Sequence, residues 1–200
     1  MSMLMIEEPE IEKEEVVEEV ENPSAFGRIL MDVVETILLS AVLFLLINAL
    51  SARVRVDGFS MNPTLQDGEF VFVNRLSYKF SEPARGDIIV FHFPIDPERQ
   101  DLIKRIIGLP GDEVMVENGR VYINGHEILE PYIAAAPLYS GKWKVANDEL
   151  FVLGDNRNDS SDSHSWGFLP YNEIVGKAIF IYWPSSEWKL IDHFDVQGVS

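Results

Sequence analysis

The sequence predicts a mainly β fold, an antiparallel-sheet domain behind a single N-terminal transmembrane helix. Three observations carry that expectation. One membrane-length apolar segment closes at Leu50, short runs rich in Val, Ile, Phe and Tyr recur after it, and no long amphipathic helical pattern appears beyond residue 51. The chain has 200 residues, and the 150 beyond residue 50 suffice to bury a core.

The elements follow in order. Residues 1–28 read as an acidic tail, Glu-rich over 6–22 and expected to be disordered or loosely helical. Of the net charge of −17, residues 1–50 carry −9 and residues 51–200 carry −8. No basic patch able to neutralise phosphates is present, so nucleic acid is not an expected partner. Ile29–Leu50 reads as the transmembrane helix: at about 1.5 Å per residue it spans roughly 33 Å. Asp32 and Glu35 fall in its first two turns, where they can sit at the interface. A cleaved signal peptide would begin with a basic region, and a buried core helix would usually show a polar face. Arg28 precedes the segment and Arg53 and Arg55 follow it, so charge alone favours a cytoplasmic C-terminal side.

Beyond Arg53 the expected strands are 54–56, 70–73, 87–93, 102–107, 113–117, 120–123, 150–153 and 176–183. Asn118-Gly119 between two of them is a hairpin signal, because a type I′ turn needs positive φ at both central residues. Asn124-Gly125 marks another turn, and 130–148 reads as a loop-rich excursion.

The absence of Cys excludes disulfides, thiolate catalysis and Cys-based zinc sites. His92, His126 and His193 form no metal-spaced cluster, and no metal or cofactor is expected. Ser60 stands in Gly58-Phe59-Ser60-Met61-Asn62-Pro63, where a sharp bend can present its hydroxyl and its own N–H together. A serine hydroxyl is a weak nucleophile until a base takes its proton. Lys104, 44 residues on, lies among Leu102, Ile103, Ile106 and Ile107, and alternation places it on the face of Leu102 and Ile106. Burial there disfavours the ammonium, so a neutral amine could act as the base. The plainer alternative is a surface lysine at a strand end. The stretch 154–167 is dense in orienting groups but is a poor calcium loop, with Ser160 where the glycine should stand and Trp166 where the glutamate should. A Ser–His–Asp triad through His164 is a further possibility.

These boxes, taken together and in order over about residues 30–184, resemble the bacterial type I signal peptidases, membrane-anchored serine endopeptidases. They are Ser60-Met61-Asn62-Pro63-Thr64-Leu65, Arg85-Gly86-Asp87-Ile88-Ile89-Val90-Phe91, Lys104 to Asp112, and Gly154 to Gly167. The resemblance implies Ser60 as nucleophile, Lys104 as general base and Ser160 as the serine that orients the lysine amine. It implies an Arg105–Asp155 ion pair and Asp162 as the acid that ties the last box together. His164 stands where many members carry Arg, so the Asp162 contact is expected to be weaker or pH-dependent. Gly58 stands where some members carry a Ser that helps bind the oxyanion, and that donor is missing here. Substrate is expected along 55–59 and 85–91, at Gly58, Phe59, Met61, Asp87, Ile88 and Ile89, as an added strand with small residues, often Ala-x-Ala, before the cut. The implied partners are signal-peptide-bearing preproteins and the lipid bilayer, with no obligate protein partner. The implied location is the plasma membrane, single-pass, with residues 51–200 as an extracytoplasmic catalytic domain and the tail inside, against the charge-based orientation. The other readings are a tethered peptide-binding β module without activity and a self-cleaving regulator, which the anchor and the lack of a DNA-reading segment disfavour.

Overall fold

The computed structural model describes residues 25–194, so the Glu-rich 6–22 tail lies outside the described residues. Helix α1 (Ala25–Leu50) begins four residues before the predicted start, since Ala25 to Arg28 hold nothing that breaks a helix except the tolerated Gly27. Phe26–Leu50 has a mean hydropathy of 2.4 and exposes apolar side chains all round, as in Leu39 and Leu45. Its 25 residues would cover roughly 37 Å, more than the hydrocarbon core of a bilayer. The described residues divide into two compact units, at residue 43.

The second unit is antiparallel throughout. Its strands and short helices run β1 (Ser51–Arg55), β2 (Phe70–Asn74), α2 (Ser77–Phe80), β3 (Ile88–His92), β4 (Asp101–Gly108), β5 (Glu113–Glu117) and β6 (Arg120–Ile123). Then follow β7 (His126–Glu127), β8 (Gly141–Lys144), β9 (Glu149–Leu153), α3 (Ser163–Trp166), β10 (Leu169–Pro170), β11 (Ile174–Trp183) and β12 (Lys189–Leu190). The larger sheet has the order β1-β2-β11-β3-β4-β9-β10, with β12 also on β11; the smaller is β7-β6-β5-β8. Every predicted strand has a counterpart, two of them with the same bounds and the others shifted by at most three residues at an end. The β5–β6 hairpin turns at Asn118 and Gly119 with φ of 53° and 75°, as a type I′ turn requires.

One stretch differs from expectation. The excursion 130–148 contains β8, which pairs with β5 from Gly141↔Val116 to Lys144↔Glu113. Trp143 points inward onto Phe151, ring centroids 4.9 Å apart, while Lys142 on the outside meets Glu113 at 2.8 Å. A single large apolar residue carries the inward face, so no alternating pattern is visible in the sequence.

Three apolar clusters hold the sheets. Val56, Met61, Leu65, Val71 and Ile103 belong to the first, which anchors the segment around Ser60. Ile107, Val114, Val121, Ile123 and Phe151 form the second, joining the two sheets. Ile89, Phe91, Ile106 and Val152 form the third. β4 thus contributes to all three clusters, through Ile103, Ile107 and Ile106, and Lys104 lies between Ile103 and Ile106 on that strand.

Candidate active site

The loop after β1 is built to hold one serine still. Val56 N donates to Glu69 O at 2.8 Å and Gly68 N to Val56 O at 2.9 Å, closing its base. Gly58, at φ +91°, donates its N–H to Asp67 Oδ1 at 2.8 Å, a conformation that costs a glycine little. Met61 and Leu65 are buried and act as apolar pegs on either side of Pro63. Ser60 is thereby presented between a rigid turn and the core, and its N–H has no acceptor among the described residues.

The last box grips the same turn from outside. Asn156 N donates to Ser60 O at 3.0 Å, and Asn156 Nδ2 donates to Phe59 O at 3.1 Å. Gly154 packs so closely that a Cβ there would lie 2.4 Å from Ser60 O and 2.2 Å from Ser160 Oγ. One of those atoms is backbone, so Gly154→Ala must push the Ser60 turn. Misplacement of about 1 Å can cost about a hundredfold in rate, and a loss of that order in kcat, in a variant that still melts cooperatively, is the expected result of a steady-state assay.

Lys104 reaches this turn from β4. Its Nζ donates to Ser60 Oγ at 2.8 Å and to Ile103 O at 2.9 Å. The side chain is buried, and burial lowers its pKa to about 8, against an opposing pull from Asp162 and Asp155. Ser60 Oγ and Lys104 Nζ thus stand within hydrogen-bond distance of each other, and burial shifts the lysine toward its neutral form.

Next to it, Arg105 is wholly buried and binds Asp155 in a fork, Nε to Oδ1 at 2.8 Å and Nη2 to Oδ2 at 2.7 Å. Its remaining nitrogen donates to Gly86 O at 2.9 Å, and its plane lies 4.0 Å over the Tyr132 ring. Thr64, four residues after Ser60 in the same box, donates its hydroxyl to Asp155 Oδ2. The ion pair therefore ties the β4 strand to the serine loop as well as to the last box.

Asp162 is fully buried, accepts from Gly154 N at 2.9 Å, and caps α3 through His164 N at 3.2 Å. His164 turns its Nδ1 to Asp162 Oδ1 at 2.5 Å and stacks on Tyr139. It makes no contact with Ser60, so the histidine triad has no geometric support. Ser160 departs from expectation: its Oγ is buried without a hydrogen-bond partner among the described residues, and the second acceptor of the Lys104 amine is Ile103 O.

A groove of about 340 Å³ opens beside Ser60. Its walls are β1 with Val56 and Asp57 on one side and Gln100 to Lys104 on the other, with Met61 at the floor. β1 ends the larger sheet and pairs only with β2, while β9 joins β4 only from Arg105 onward. Two open strand edges thus face each other across the groove.

The second wall corrects the sequence reading. Asp87, Ile88 and Ile89 do not line this groove, because β3 is an interior strand with β11 on one edge and β4 on the other. Ile88 and Ile89 are fully buried, and Asp87 is taken up by Tyr78 Oη at 2.9 Å and Lys177 Nζ at 2.5 Å. Gly58 and Phe59 shape the serine turn and do not line the groove, and Phe59 is largely exposed. Sequence reasoning passed over Asn156, Thr64 and the Gln100–Ile103 edge. The last of these could have been found, since it runs straight into Lys104 on the same strand. It also passed over Arg157, which is buried and forks onto Glu130 Oε2 at 2.7 Å and Oε1, pinning the excursion to the last box.

The family model described as "Signal peptidase, peptidase S26" matches residues 30–183. A signal peptidase I of Leptolyngbya laminosa is 46% identical over 164 residues, covering 78% of this chain and 80% of that one. A probable signal peptidase I of Synechocystis sp. is 44% identical over 157 residues, 75% and 72% of the two chains. A signal peptidase I of Bacillus caldolyticus is 40% identical over 148 residues, 66% and 80% of the two chains. A crystal structure of a signal peptidase I from Enterococcus faecalis aligns at 32% identity over 48% of this chain and 97% of that one, with a TM-score of 0.45.

Proposed function

Because the chain belongs to the signal peptidase family, we propose that it cuts signal peptides from exported preproteins with Ser60 as nucleophile and neutral Lys104 as general base. The observation that carries this reading is the 2.8 Å contact between Lys104 Nζ and Ser60 Oγ, made by a lysine buried enough to lose its proton.

The substrate enters as an extended strand between the open edges of β1 and of Asp101–Lys104, where main-chain hydrogen bonds hold it regardless of sequence. A groove floored by Met61 favours small side chains next to the cut, consistent with an Ala-x-Ala-like preference. As Ser60 Oγ attacks the carbonyl carbon, Lys104 takes its proton, and the charge on the carbonyl oxygen is met by the Ser60 N–H. Collapse of the tetrahedral intermediate expels the amine of the mature protein, which receives that proton from Lys104. Water then attacks the ester, giving its proton to Lys104; Ser60 leaves with a proton and the signal peptide departs as a carboxylic acid.

The sign of the pH dependence follows from the lysine. Only its neutral form accepts a proton, so acylation should rise about tenfold per pH unit and level off above about 8. Single-turnover acylation rates from acidic to alkaline pH check this, and a flat profile counts against a lysine base.

Helix α1 suits a membrane anchor in length and composition. The extracytoplasmic placement of residues 51–200 stands against the count of Arg28, Arg53 and Arg55. That count applies to short loops, and a folded domain of 150 residues crosses largely regardless of its charge. Arg53 and Arg55 belong to this domain, in the strand that walls the groove. Cleavage of a preprotein by wild type, Ser60→Ala and Lys104→Ala in detergent tests the proposal as a whole.

A further inference from the structure

The family match stops at residue 183, and the chain runs on through β12 to Phe194. This extension is tied down at every step. β12 pairs along β11 through Phe180↔Leu190 and Ile181↔Lys189, and Ile191 N donates to Ile179 O at 2.9 Å. Ile191 is buried and belongs to the apolar cluster of Met61, Leu65 and Ile103. The next three residues cross to β3 and β4. Asp192 O accepts from Arg105 Nη1 at 3.3 Å, and His193 Nδ1 accepts from Ile88 N at 3.1 Å. The Phe194 ring faces the Arg105 guanidinium, its centroid 5.7 Å from Cζ, and meets the Tyr132 ring at a centroid distance of 5.3 Å.

Each of these contacts lands one step from Lys104 or Ser60. Arg105 follows Lys104 on β4, and Ile89, which follows Ile88, is the cross-strand partner of Lys104. Met61 and Leu65 are the pegs of the Ser60 turn. β11 pairs with β3 no further than Lys177↔Ile89, so the imidazole supplies the acceptor for the Ile88 N–H. A buried N–H left without an acceptor is costly. Because the backbone donates, Nδ1 carries a lone pair and the ring proton sits on Nε2. Burial, and after it the charge of Lys177, push the imidazole pKa down to about 4, so the ring is neutral near pH 7. Arg105 is bound along its edge by Asp155 and Gly86 O and covered by the Tyr132 and Phe194 rings. Removing the Phe194 ring admits water to that ion pair and weakens it.

We propose that Lys189–Phe194 is a positioning strap for the active site, with His193 and Phe194 as the positioning residues that key it to β3 and to Arg105. The proposal rests on the Ser–Lys reading. The strap touches neither Ser60 nor Lys104. It acts through the strand beside Lys104, the arginine after it and the core under the serine turn, and so sets the 2.8 Å separation of the two groups. Such an element governs the rate of the chemical step and leaves the peptide-binding edges as they are.

The test compares wild type, His193→Leu, His193→Asn and Phe194→Ala, as full chains in detergent. Single-turnover and steady-state cleavage of a preprotein are measured well below the Tm of each variant, where all of it is folded. His193→Leu and Phe194→Ala should each lower the single-turnover rate at least about tenfold, with KM within about twofold of wild type. His193→Asn keeps an acceptor near the place of Nδ1 and should stay within about threefold of the wild-type rate. If His193→Leu does not fold by thermal melting, Phe194→Ala carries the test, since that ring is already 36% exposed and its loss is milder. Wild-type rates with only Tm lowered would overturn the proposal, because the strap would then stabilise without positioning. A loss confined to KM, or His193→Asn as slow as His193→Leu, would overturn it too. Cleavage that survives in Lys104→Ala would instead overturn the Ser–Lys reading on which the proposal rests.

Discussion

Lys104→Ala and Ser60→Ala are each expected to lower kcat for preprotein cleavage by at least about a thousandfold, with melting temperature close to wild type. The two losses should be similar and should not add in the double variant if, as proposed, nucleophile and base act as one unit through their 2.8 Å contact. KM should change far less, since the open edges of β1 and Asp101–Lys104, proposed to hold the peptide backbone, are left in place. Stability should even gain slightly in acid for Lys104→Ala. The native state holds this lysine's pKa at about 8, below the ordinary value of 10.5, so charging it costs folding energy that grows as pH falls from the ordinary value to about 8 and is fully present at every lower pH. Cleavage that survives Lys104→Ala would move the base role elsewhere. His164 would be a poor heir, because its ring is committed to Asp162 and Tyr139.

Much of this site could be read from the chain because its parts carry chemistry in their identity. A lysine inside Leu102–Ile107 is conspicuous wherever the strand goes, and a serine between Gly58 and Pro63 announces a bend. The strands were legible for a similar reason: Val, Ile and Phe at period two report a pleated surface locally. What stayed hidden depends on partners distant in sequence. The groove's second wall is set by which strand leaves an edge unpaired. That follows from β9 joining β4 only at Arg105, a fact of register that no local pattern encodes. The boxed stretch 85–91 looked suitable because it is a strong strand, but that strength places it in the middle of the sheet. The contact of Phe194 O with Gly86, where a Cβ would lie 1.7 Å away, likewise joins residues more than a hundred positions apart.

The largest expected stability effect lies at the neighbouring residue. Asp155→Ala should destabilise the second unit by about 3–5 kcal/mol, because it leaves the Arg105 guanidinium buried with no counter-charge. At about 2–4 °C per kcal/mol, that is a fall of about 6–20 °C in Tm, readable by thermal unfolding in detergent. Arg105→Met should cost less, since the methionine fills the slot over Tyr132 and Asp155 keeps the Thr64 hydroxyl as a donor. The pair Arg105→Met with Asp155→Leu should recover part of the single-variant loss, because two apolar groups leave no charge uncompensated. Activity need not recover with it. The fork joins β4, next to Lys104, to the box that grips Ser60 through Asn156. A directional two-point bond fixes that separation, and a packed methionine against a leucine fixes it less well. A double variant that regains Tm but stays at least about tenfold slow in kcat would separate the ion pair's work in alignment from its work in stability. Full recovery of both would mean that packing alone sets the distance between nucleophile and base.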